Sequence, residues 1–258
     1  MEEKVKSLLR RIRPIKPLKE LTWIDLFIIT MILCGNAIYT STMQWIASFS
    51  ATETVETGVL SFSPADNWWA LANQGKLFLF ALVYLLIRNY DFKQLKVKLE
   101  WRVLLWGPLI FIGAGLISDL AFTAFSYIPD LSGGYNFLGY LPYYDWNIMT
   151  VLNRFLAVDY STVIYSLFNG FYEEFFFLGL LLSTDKKKRS LVLLFATIVR
   201  ISFHTYQGMV SALVIGVAFG LFYYYMYTKK NDNLLPYFLG HALADMVGTS
   251  FFSLFIAG

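Results

Sequence analysis

Residues 169–182 read NGFYEEFFFLGLLL, with two adjacent acidic residues, Glu173 and Glu174, inside a run of phenylalanine, leucine and glycine. The residues around the pair have the composition of a membrane-spanning helix. A carboxylate at the centre of a bilayer costs roughly 2.5–3.5 kcal/mol even on the insertion scale most lenient to charge. Two in succession demand a polar interior, and the rest of the chain must supply its other walls.

The 258 residues are 57% hydrophobic and only 15% charged, against about 25% charged in a soluble domain. Mean hydropathy is +0.54. With several apolar stretches of about 20 residues, this composition excludes an ordinary soluble domain. It predicts an all-α fold, a polytopic transmembrane helix bundle of about seven spans. The expected spans are 24–46, 68–87, 103–127, 160–182, 190–204, 209–227 and 234–256. No internal repeat and no soluble domain boundary interrupts them. Cys34 is the only cysteine, so an intrachain disulfide and a cysteine metal site are both excluded.

Eighteen of the 21 Lys and Arg residues fall in alternate segments: 4–19, 88–102, 186–189 and 229–230. The opposite connections carry Glu53, Glu56, Asp66, Asp130, Asp145 and Asp159 against a single Arg154. The positive-inside rule places the basic side, and with it the N-terminus, in the cytoplasm. The abundance of Phe, Tyr, Asn and Lys suits a bacterium of low genomic GC, so a bacterial cell membrane is the expected location. Residues 1–22 read as a basic cytoplasmic arm, and 23–258 as the bundle. In the arm, Val5, Leu8, Leu9 and Ile12 share one helical face, which suits a helix lying on an anionic leaflet; an ordinary topogenic arm is the alternative.

Between residues 129 and 159, the periodicity of Ile148, Met149, Leu152, Phe155 and Leu156 predicts a short interfacial helix. Asp145 is its expected N-cap, and Trp146 is expected at headgroup level. A lid over a site is the other reading. In the sixth span Gly208, Ala212, Gly216 and Gly220 recur every four residues, a stripe expected to pack that helix tightly against its neighbours. A dimerisation face is the alternative.

Eight ionisable residues lie inside the spans: Lys76, Asp119, Glu173, Glu174, Arg200, His204, His241 and Asp245. Lys76 and Asp119 read as members of structural pairs, or as side chains snorkelled to an interface. The other six include both histidines of the chain. Glu173 lies 13 residues before Lys186, His204 lies 15 after Arg189, and His241 lies 11 after Lys230. At 1.5 Å per residue these are depths of roughly 17–22 Å from the basic side, so the three groups can meet at one level. His241 and Asp245 share a helix face, as do Arg200 and His204. Glu173 and Glu174 diverge by about 100° on a helix. One can face a cavity while the other meets a neighbouring helix, where Arg200 is its natural partner.

A carboxylate beside a histidine can hold and deprotonate a water, and a second histidine can donate to a tetrahedral oxyanion. That combination suits peptide hydrolysis. Glu173, His204 and His241 could alternatively hold zinc, although the zinc-protease motif HExxH is absent. A proton-coupled transporter could also use buried carboxylates and histidines.

Three motifs, in this order, resemble those of the CAAX-processing and bacteriocin-processing (CPBP, or Abi) intramembrane proteases. The family's glutamate pair is Glu173–Glu174, and the arginine that follows it in the family is here Leu178. RISFHTYQG carries His204 in register, with Arg200 where the family has phenylalanine. HALAD supplies His241 and Asp245. The resemblance covers residues 159–258, the expected protease-like core. It implies an intramembrane endopeptidase acting on a membrane-associated or lipid-modified peptide, and no nucleic acid.

By resemblance Glu173 and His204 activate water, His241 and Asp245 form the oxyanion-stabilising side, and Glu174 assists or is structural. Arg200 is expected to supply, from the next helix, the positive charge missing at Leu178. No cofactor is needed in a glutamate mechanism, and zinc is required in a metallo mechanism. The family also implies a second possibility: a non-catalytic member serving bacteriocin immunity or acting as a scaffold for a membrane partner.

Overall fold

The computed structural model describes residues 13–49, 63–129 and 135–256, whose regular secondary structure is all helical, with no β-strand among them. The principal helices are α1 Trp23–Ser48, α2 Pro64–Ile87, α3 Val103–Ser126, α4 Ile148–Leu156, α5 Tyr160–Glu174, α6 Arg189–His204, α7 Met209–Lys229 and α8 Leu235–Val247. Helices α1, α2, α3 and α7 are each long and apolar enough to cross a membrane. With α5, α6 and α8 running between them, the chain is a multi-pass integral membrane protein.

Local sequence sets the helix starts. Thr22 and Ser63 each form a capping box with an aspartate three residues on, Asp25 and Asp66. The hydroxyl and carboxylate reciprocally satisfy N–H groups that the first turn leaves without partners. Asp25 is then reused: Arg88 Nε lies 2.5 Å from its Oδ1, and the Tyr84 hydroxyl donates to the same oxygen at 2.7 Å. This buried carboxylate pins the start of α1 to the end of α2.

Hydrogen bonds gather four connections at one end of the bundle. The Leu18 N–H donates to the Asn89 carbonyl at 2.8 Å, and the Leu21 N–H to that of Ser183 at 2.7 Å. The Leu234 N–H donates to the Lys96 carbonyl at 2.8 Å. Lys96 also pairs with Asp232, and its ammonium holds that carboxyl below the usual carboxylate range. All four basic segments are therefore tied to the same end, as their alternation along the chain predicts. The surface helix expected over Val5, Leu8, Leu9 and Ile12 lies outside the described residues.

Helix α8 sits between α3 and α5, and missing side chains make room for it. A Cβ on Gly170 of α5 would stand 2.5 Å from the Phe238 carbonyl oxygen, and one on Gly240 would stand 2.9 Å from Ile110 of α3. Close approach of these backbones brings the polar residues of α5 and α8 within hydrogen-bonding range.

Five expectations need correction. The last span does not continue as helix to residue 256. Helix α8 has 13 residues, about 20 Å at 1.5 Å per residue, and ends where Gly248 takes φ +94°. The N–H groups released by that turn need acceptors, and Asp119 supplies them. Its buried carboxylate accepts from the Ser250 hydroxyl at 2.5 Å and from the Phe252 N–H at 3.0 Å. Asp119 is thus structural, through hydrogen bonds rather than through an ion pair.

Lys76 is exposed on α2 and forms no ion pair with another described residue, so the paired reading fails for it. The short helix α4 forms as the periodicity predicts, but its N-cap is Asn147, which accepts from the Met149 N–H at 2.9 Å; Asp145 accepts from the Thr150 hydroxyl instead. Only half of the small-residue stripe packs. Ala212 is fully buried, and a Cβ on Gly216 would meet Ile201 at 2.3 Å, whereas Gly208 forms a turn at φ +88° and Gly220 faces open space.

Candidate active site

The two glutamates diverge as their helical positions require. Glu174 is fully buried, and Arg200 Nη2 reaches across from α6 to both of its oxygens, each at 3.1 Å. The Arg200 guanidinium also lies over the Phe177 ring, 4.0 Å from its centroid. Such a pair survives burial because the guanidinium is planar, weakly hydrated and able to serve two oxygens at once. Glu173, one residue earlier, lines a cleft instead.

That cleft encloses about 610 Å³, part of it open. Its polar walls are Glu173, Glu174, Arg200, His204, His241 and Asp245, joined by Gln207 and Thr249. All six ionisable residues predicted to meet do so. Phe111, Ile215 and Phe219 are the large apolar side chains of its wall. Helix α5 continues past the glutamates as a π turn over Phe175–Leu180, and α7 holds another over Val214–Phe219. Turns of this type inside helices recur at functional sites because they redirect side chains that a regular helix would stack.

His241 is the hub. Its Nδ1 lies 2.9 Å from Glu174 Oε1, and its Nε2 lies 3.9 Å from Glu173 Oε1 and 3.6 Å from Asp245 Oδ1. Three carboxylates from two helices therefore converge on one imidazole. The second histidine is oriented differently: His204 Nδ1 lies 2.8 Å from the Arg200 carbonyl oxygen. A proton on Nδ1 satisfies that oxygen and leaves Nε2 as an acceptor. Residues so placed can hold a water between a carboxylate and an imidazole and can serve an oxyanion from the other side. Among the described residues no group of three or more His, Cys, Asp or Glu side chains is arranged to hold a metal ion.

Residues 155–247 match the Rce1-like family model. Its description is type II CAAX prenyl endopeptidase Rce1-like. The matched segment contains all six ionisable cleft residues, which bears out the resemblance to the CPBP family read from the motifs. Helices α1 to α3 lie outside it. No curated protein and no solved structure matches the chain.

Within the matched segment, Asn169 is a further residue that escaped the sequence reading. Asn169 donates from Nδ2 to Asp245 Oδ2 at 2.8 Å and to Glu173 Oε1 at 3.2 Å. Gln74, on α2 and outside the segment, donates to Asn169 Oδ1 at 2.6 Å. Asn169 precedes Glu173 by four residues, so the shared helix face was a usable signal. Gln74 had none, because nothing in a linear sequence joins an amide on α2 to one on α5.

The departure from the family at Leu178 also has a structural setting. Leu178 is buried, and with Phe177 and Arg200 it lines a second, smaller cavity of about 320 Å³. Arg200 thus reaches Glu174 from the neighbourhood that Leu178 occupies.

Proposed function

We propose that the protein is an intramembrane endopeptidase that hydrolyses a peptide bond in a membrane-associated or lipid-modified chain, with Glu173 as the base. The observation that carries this reading is a single atom. Glu173 Oε2 is buried, belongs to a cleft-lining side chain and has no hydrogen-bond partner among the described residues. A buried, unpaired carboxylate oxygen costs free energy unless water or a substrate meets it.

The geometry supports the following reaction. A water bound between Glu173 Oε2 and His204 gives its proton to the carboxylate as its oxygen attacks the peptide carbonyl carbon. The carbonyl π electrons move to oxygen. The resulting oxyanion lies on the side of His241 and Asp245, where His241 in its imidazolium form donates from Nε2. Collapse of the tetrahedral intermediate breaks the C–N bond, and the proton held by Glu173 passes to the leaving nitrogen. The products are a carboxylic acid and an amine, which exchange a proton to leave as carboxylate and ammonium.

Glu174 stays paired with Arg200 throughout and holds His241 through Nδ1. The basic end of the bundle faces the cytoplasm in this reading. Every step uses side chains and water alone, and activity after exhaustive chelation is the expected result. The deciding experiment compares wild type with Glu173→Gln and His204→Ala, each confirmed as folded and inserted. Both variants lose cleavage in this account; retention by either one contradicts it.

A further inference from the structure

The geometry points to Asn169 as a positioning residue that aims Glu173, with Gln74 aiming Asn169; this rests on the peptidase reading above. A primary amide has two N–H donors in a fixed planar fork and one acceptor oxygen. In Asn169 the nitrogen serves two carboxylates on different helices, Glu173 of α5 and Asp245 of α8. Its oxygen accepts from Gln74 of α2.

Each contact excludes an alternative arrangement. A flipped Asn169 amide would turn its oxygen onto two carboxylates, and the Gln74 donor would then face an NH₂ group. The two carboxylates and the Gln74 donor therefore agree on which end of Asn169 meets the cleft. Asn169 in turn engages Oε1 of Glu173, which leaves Oε2 as the oxygen without a partner among the described residues. A free carboxylate could offer either oxygen to water and could rotate between them. The clasped one presents a single oxygen in one direction, as attack geometry requires. The same fork stands between two carboxylates that both lie within 3.9 Å of His241 Nε2 and offsets their mutual repulsion.

The test uses Asn169→Leu and Gln74→Leu, which remove the amide contacts and leave an apolar side chain in each place. Full-length protein in liposomes is assayed on a quenched-fluorescent peptide ending in a prenylated CAAX sequence. The isotope-edited carboxylate infrared band of Glu173 is recorded in parallel, assigned by its loss in Glu173→Gln.

Both variants are expected to lose about 10- to 100-fold in kcat, with KM changed less than about twofold, and to shift the Glu173 band. A purely packing role moves neither the kcat against KM split nor the band. Unchanged kcat, or an unshifted band in inserted protein, overturns the proposal. Should Asn169→Leu fail to insert, Gln74→Leu carries the same two readouts from a helix outside the glutamate and histidine motifs. If wild type and Glu173→Gln cleave equally, the peptidase reading fails. The band then decides the clasp by itself: a shift supports it, and no shift overturns it.

Discussion

Arg200 Nη2 stands 3.1 Å from both carboxylate oxygens of Glu174, although the two residues belong to different helices and both are buried. This relationship divides the labour between adjacent glutamates. The charge of Glu174 is offset inside the bundle, which leaves Glu173 as the carboxylate with a free oxygen in the cleft.

Breaking that pair from one side leaves a buried charge unmatched. Arg200→Met is expected to cost about 3–5 kcal/mol, read as a lower unfolding midpoint in detergent. Adding Glu174→Gln recovers part of the loss, because the orphaned charge is gone. It does not recover all of it, since His241 Nδ1 loses its charged partner. A double variant as unstable as the sum of the two singles contradicts the pairing.

The positive charge can be moved back to Leu178. Arg200→Phe is expected to lose cleavage, and Arg200→Phe with Leu178→Arg to regain a substantial part of it, because both positions line one cavity. Product formation by the purified variants is the measurement. A double variant no more active than Arg200→Phe rejects the exchange.

Two glycines four residues apart on α7 should respond oppositely to alanine. A Cβ on Gly216 meets Ile201 Cγ1 at 2.3 Å and the Ile201 backbone nitrogen at 3.0 Å, whereas one on Gly220 meets nothing within 4 Å. Gly216→Ala must push α6 and α7 apart and is expected to cost about 1–3 kcal/mol. Gly220→Ala should be neutral or slightly stabilising, since alanine favours helix. Melting temperatures of the two variants, measured side by side, check the contrast.

Asp119 should prove structural. Asp119→Ala leaves the Ser250 hydroxyl and the Phe252 N–H without their acceptor, at a cost of about 1–3 kcal/mol. The segment after Gly248 should then exchange its amide hydrogens faster. Unchanged exchange over residues 249–253 would show that the carboxylate does not hold this turn.

Much of this architecture is legible in the sequence. Hydropathy and the alternation of basic segments located the helices, because lipid thickness and membrane charge act on composition directly. The glutamates and histidines stood out because a buried charge is costly wherever the chain puts it. Hydropathy could not show that α8 stops at Val247, since the residues after Gly248 remain apolar and only the turn and its Asp119 acceptor distinguish them from helix. Nor could spacing choose Asn147 over Asp145 as the cap of α4, because both are good capping residues two positions apart. The Gln74–Asn169 contact was hidden because it joins two helices through uncharged amides, which leave little trace in hydropathy or charge.

The central claim is that Glu173 Oε2 activates water for peptide hydrolysis. Its most direct test is the rate of cleavage of a membrane-anchored peptide by wild type and by folded, inserted Glu173→Gln. The account predicts a fall of at least about 10²-fold, the lower range for loss of a general base, with Glu174 and Arg200 still paired. Equal rates for the two proteins would contradict it.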